Sequence, residues 1–144
     1  MRISETKKHK VVDLTTAEQV AQVDGLVIDP EQQAVVAVRL RKFKGVGTVV
    51  PWSDVKSFGP DAVTVEGTAA FRDPADEDER RAVGLDVMGI LVLTDGGRSV
   101  GRVDDADFDP ATGAISSIIT DGGEIPGANI IGLGSYALVV SEPT

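Results

Sequence analysis

Cysteine is absent from the 144 residues, so no disulfide framework, thiol nucleophile or thiolate metal site can be built. Histidine occurs once, as His9, aromatic residues make up only 4% of the chain, and no lysine follows Lys56. No window approaches the roughly 20 consecutive apolar residues that span a bilayer, and Met1-Arg2-Ile3-Ser4-Glu5 lacks the apolar core of a signal peptide. These absences predict a soluble, cytoplasmic protein without membrane insertion, and they remove several enzyme classes at once.

The chain does have valine, with 42% apolar residues overall, which favours pleated strands over helices. Its net charge of −9 is unevenly spread. Residues 1–66 carry nine Lys/Arg against nine Asp/Glu, whereas residues 67–144 carry five against fourteen. That balance repels phosphate backbones over much of the surface and disfavours general nucleic-acid binding.

The chain also aligns with itself. A shift of 80 matches Val23, Asp24, Asp29 and Pro30 with Val103, Asp104, Asp109 and Pro110. A shift of 75 then matches 51–65 with 126–140, so the second copy has a connection five residues shorter. In each copy a β-rich run meets an Asp-Pro turn signal, at Asp29-Pro30 and Asp109-Pro110, and restarts beyond it, which predicts a hairpin. Short strands before and after each hairpin bring the count to five or six per copy. Residues 1–66 and 87–144 therefore read as two small barrels, an arrangement that removes exposed edges. Between them, 67–86 reads as an acidic linker, solvated or docking a partner, with a short helix after Pro74.

The blocks Val-Gly-Arg-Val-Asp-Asp-Ala-Asp-Phe-Asp-Pro-Ala-Thr-Gly (100–113) and Val-Pro-Trp-Ser-Asp-Val-Lys-Ser-Phe-Gly-Pro-Asp-Ala-Val-Thr-Val (50–65) resemble the PRC-barrel family. That family takes its name from the photosynthetic reaction-centre H subunit and includes the ribosome-maturation factor RimM. The resemblance implies an all-β fold of two tandem barrels used for protein contacts, with no family-wide catalytic residue and no cofactor. The first copy departs from the pattern at Ala21-Gln22, against Gly101-Arg102, and at Gln33, against Gly113; the second lacks Trp52-Ser53-Asp54.

Tests for chemistry leave little. Asp105, Asp107 and Asp109 alternate along a strand and would share a face, the basis of a divalent-cation site; the simpler expectation is an acidic solvent face on an edge strand. A calcium loop starting at Asp105 fails, because Pro110 falls at the glycine position and Ser116 at the bidentate carboxylate. His9 lies among Lys7, Lys8 and Lys10 without a positioned neighbour, so no hydrolase triad can be assembled. Gly45-Val-Gly47 is too short for a dinucleotide fingerprint.

Two features suit binding. The run Arg39, Arg41, Lys42, Phe43 and Lys44 places four cations around an aromatic, suited to an acidic protein or RNA. Trp52 is either core packing or an interface anchor. The expectation is a non-catalytic interaction or scaffold module with a protein partner, self-association being one form of it. A ribosome-associated or RNA-processing adaptor, and a metal- or small-ligand-binding regulator, are the alternatives.

Overall fold

The computed structural model describes residues 1–43, 45 and 47–142; Lys44 of the basic run lies outside them. The fold is all-β, with two six-stranded sheets. The first comprises β1 (Lys10–Asp13), β2 (Glu18–Asp29), β3 (Ala34–Arg41), β4 (Val49–Pro51), β5 (Val55–Phe58) and β6 (Ala62–Val65), in the order β4-β3-β2-β1-β6-β5. The second comprises β7 (Leu91–Thr94), β8 (Ser99–Phe108), β9 (Ile115–Thr120), β10 (Gly123–Pro126), β11 (Ile130–Leu133) and β12 (Ala137–Val140), in the corresponding order β10-β9-β8-β7-β12-β11. In each sheet one pair is parallel, β1 with β6 and β7 with β12.

The ladders are open, which corrects the expectation of closed barrels. The two edges of each sheet are consecutive in the chain, β4 to β5 and β10 to β11, joined by a single 3-10 turn at Trp52–Asp54 or Gly127–Asn129. Pro51 and Pro126 end the inner edge strands without an N–H to donate, and the turn then diverts the chain. Curvature comes from the long strands. Register breaks at Val23/Gly25 and Val27/Ile28 on β2, and 80 residues later at Val103/Asp105 and Asp107/Phe108 on β8. Such bulges bend a strand and increase its twist.

The backbones correspond even where the residues do not. Lys8, Ala17 and Gln33 have φ of 70°, 58° and 55°; Gly89, Gly97 and Gly113 hold the corresponding places at 77°, 80° and 83°. A left-handed conformation costs an L-residue about 1–2 kcal/mol, so the first half keeps three turns at some cost that glycine spares the second.

The halves meet at their hairpin tips. Ala34 and Ala114 form an antiparallel bridge. Around it the Val35 N–H donates to the Gly113 carbonyl (2.8 Å) and the Ile115 N–H to the Gln33 carbonyl (2.9 Å). These two bonds are equivalent under the 80-residue shift, so a local two-fold axis passes between the alanines. The main hydrophobic core is continuous across this seam, drawing Val11, Val38 and Val63 together with Val92, Ile118 and Leu138. Trp52 stacks on Phe58 (5.6 Å between ring centroids) and both meet Phe108 edge-on, at 6.2 and 5.6 Å.

The segment between the halves is packed rather than merely solvated. Helix α1 (Glu77–Gly84) starts at Asp76, whose carboxylate accepts the Glu79 N–H (2.8 Å), with acidic residues in its first turn. Its buried Val83 clusters with Val27, Ala37 and Val49 of the first sheet. Met1 to Glu5 does likewise on the second sheet: the Met1 ammonium donates to the Phe108 carbonyl (2.9 Å), and Arg2 bridges and pairs with Asp107 (3.3 Å). The stretch leading into each half therefore lies on the other half's long hairpin.

Candidate interaction surfaces

The described residues of the basic run do not form one free patch. Arg39 is folded inward: its Nε donates to Asp24 Oδ2 (2.8 Å) and its Nη1 to the Val83 carbonyl (2.8 Å), so it clamps the hairpin to α1. Gly25 makes room for the guanidinium, since a Cβ there would collide with it. Phe43 packs edge-on against Phe71 (4.9 Å). Arg41 is half-buried, and Lys42 is exposed in a left-handed turn, φ 59°. Trp52 is half-buried at the seam between the halves.

The three aspartates have separate partners. β8 lies between β9 and β7, so the acidic run is not on an edge strand as expected. The bulge at Asp107/Phe108 takes Asp109 out of the alternation, whereas Asp105 and Asp107 stay in regular register. Asp105 is buried and accepts from the Ser4 hydroxyl, the Ser4 N–H (3.1 Å) and the Ala106 N–H (2.9 Å). Burial works against its ionisation, but the Ser4 and Ala106 bonds and the nearby Arg2 charge outweigh it and hold the carboxyl below its ordinary value. Asp107 pairs with Arg2, and Asp109 accepts the Ala111 N–H (2.8 Å) within the hairpin turn. Among the described residues no three His, Cys, Asp or Glu side chains are grouped to hold a metal ion.

His9 is bonded through Nε2 to the Pro60 carbonyl (2.8 Å) and tilts against Phe58, so its contacts fix the β5–β6 turn. Asp13 accepts from the Thr15 hydroxyl (2.6 Å), the Thr15 N–H (2.8 Å) and the Gly67 N–H (3.0 Å), which outweigh burial and lower its pKa. No helix is long and apolar enough to cross a membrane among the described residues.

Two further surfaces emerge from the structure. Ile131 on β11 and Tyr136 in the turn before β12 are 49% and 74% exposed. The 75-residue shift sets them against Lys56 and Asp61, so the contrast between aligned positions is the signal that marks them in the sequence. The second surface is a pair of clefts. One, about 320 Å³, is lined by Val50, Asp54, Val65 and Glu66, with Ala70 and Phe71 as a further wall. The other, about 250 Å³, is lined by the corresponding Ile125, Asn129, Val140 and Ser141, together with Arg98 and Val100.

No protein-family model matches the chain, and comparison with curated proteins finds none that is similar.

Proposed function

We propose that this chain is a non-catalytic protein-interaction module made of two duplicated, PRC-type units, and that its second half carries the principal contact surface. The observation behind this reading is the exposure of Ile131 and Tyr136 at a sheet edge where the corresponding positions are Lys56 and Asp61. A large aromatic left 74% exposed contributes little to the fold, and Tyr is among the residue types that anchor interfaces. The surrounding net negative charge selects a partner with a basic rim. The matching strand orders and the matched bulges support the duplication.

The metal-regulator and RNA-adaptor alternatives draw on residues with internal work, since Asp105 and Asp107 bind the N-terminal segment and Arg39 binds α1. The test is quantitative affinity capture with the intact protein and an Ile131→Lys/Tyr136→Asp variant of unchanged melting temperature. Loss of the captured partner is expected. An unchanged set of captured proteins would remove this surface from the reading.

A further inference from the structure

Residues 70–72 complete the first sheet. The Arg72 N–H donates to the Val49 carbonyl (2.9 Å) and the Val49 N–H to the Arg72 carbonyl (3.0 Å), so Arg72 is an extra rung outside edge strand β4. The two side chains before the helix divide by face. Phe71 points inward, buried and edge-on to Phe43, while Arg72 stays outside and pairs with Glu79 of α1.

Among the described residues the second sheet has the same edge without this rung. Glu124 of β10 corresponds to Val49 of β4. Thr120 and Gly123 close a two-residue hairpin, so the next pair, Ile119 with Glu124, is a non-hydrogen-bonded one, and the Glu124 N–H and carbonyl face away from β9. The five-residue-longer loop that supplies Phe43 in the first half is missing here, so the β9–β10 turn offers no counterpart of that ring. Beyond the edge lies the cleft of Ile125, Val100 and Val140.

We infer that β10 accepts an extended segment of a partner protein, which adds a strand at Glu124, places an aromatic side chain in the Ile125–Val140 cleft and sets the next residue, Arg or Lys, beside the Glu124 carboxylate. This deepens the interaction-module reading and rests on it. Strand addition supplies main-chain hydrogen bonds, and alternate side chains supply specificity. The charge fits as well: Glu124 is exposed where Val49 is buried, and the one cation lining the cleft, Arg98, is neutralised by Glu142 (2.6 Å).

The probe is a blocked peptide with the sequence of residues 67–74, Gly-Thr-Ala-Ala-Phe-Arg-Asp-Pro, titrated into the isotopically labelled full chain. Amide shifts at Glu124 and Ile125 are expected, and they should vanish for peptides with Phe→Ala and weaken for Arg→Glu. Glu124→Pro removes only an outward N–H, which edge strands tolerate, and should cut affinity roughly tenfold or more. Glu124→Lys should do so through charge, and serves if the proline variant does not fold.

Absence of amide shifts at millimolar peptide, or equal shifts with the Phe→Ala peptide, would overturn the inference. So would concentration-dependent dimerisation abolished by Glu124→Lys, which would make the occupant a second copy of this chain. If instead capture through Ile131 and Tyr136 persists while the peptide fails, the module reading stands and only this site is lost.

Discussion

Gln33 and Gly113 occupy the same left-handed conformation, and each accepts a backbone hydrogen bond from the other's hairpin across the local two-fold axis. Only one of them is glycine. Gln33 offsets the cost with its side-chain amide, which donates to the carbonyls of Ala128 (2.8 Å) and Ile130 (2.9 Å) in the other half. Gly113 has no such freedom to change: a Cβ there would stand 2.5 Å from the Val35 carbonyl oxygen and 3.2 Å from the Trp52 indole.

Gly113→Ala should therefore destabilise the protein by about 2–4 kcal/mol, combining left-handed strain with displacement of the seam. Urea unfolding measures it. A loss below about 0.5 kcal/mol would mean that the tips separate without consequence.

Ala17→Gly is expected to act in the opposite direction. Ala17 sits at φ 58° in the β1–β2 turn with no compensating side-chain bond, while Gly97 serves the corresponding turn. The substitution should raise stability by about 0.5–1 kcal/mol, read as a higher melting temperature.

Trp52 reports on both halves, because it touches Phe58 of one and Phe108 of the other. Its fluorescence and far-UV circular dichroism should follow one coincident unfolding transition. Trp52→Ala should cost about 2–4 kcal/mol through the lost ring contacts. Separated transitions would show that the continuous core does not couple the halves.

Acid should release the N-terminal segment. Asp105 and Asp13 both have folded-state pKa values below the ordinary 3.8. A depressed carboxyl contributes stability that is fully present above the unfolded value and is lost as pH falls through the folded one. Stability should thus hold from neutrality to about pH 5 and fall below pH 4. Ser4→Ala should raise the acid midpoint, because it removes the hydroxyl bond that opposes the desolvation of Asp105 and leaves only the Ser4 N–H bond in place. An unchanged acid profile would show that the Ser4 hydroxyl does not stabilise the ionised form.

The hairpins and the two matched blocks were legible because Asp-Pro turns and alternating β-branched residues are local signals. The five-residue offset was legible too, and its consequence, the Phe43–Phe71 clasp, was not. Ring contacts between residues 28 positions apart leave no periodic trace. Arg39 looked like part of a basic patch for a similar reason. Nothing local shows that Asp24 and the Val83 carbonyl would satisfy its guanidinium. Alternation does align Asp105 with Asp107, but the bulge at Asp107/Phe108 that removes Asp109 is set by the long-range pairing of β8 with β9. Ile131 and Tyr136 stand out only beside Lys56 and Asp61.

The seam has the geometry of an isologous contact, the kind by which two identical subunits form a two-fold dimer. Covalent connection makes such an association independent of concentration, and it frees the two faces to diverge. The two faces differ in a complementary way. The glycine tip, Gly113, receives Trp52, while the Gln33 tip reaches the turn that begins at Gly127, the position corresponding to Trp52. Two first halves brought together would set glutamine against tryptophan, and two second halves would set glycine against glycine. Each half is therefore shaped for the other rather than for a second copy of itself.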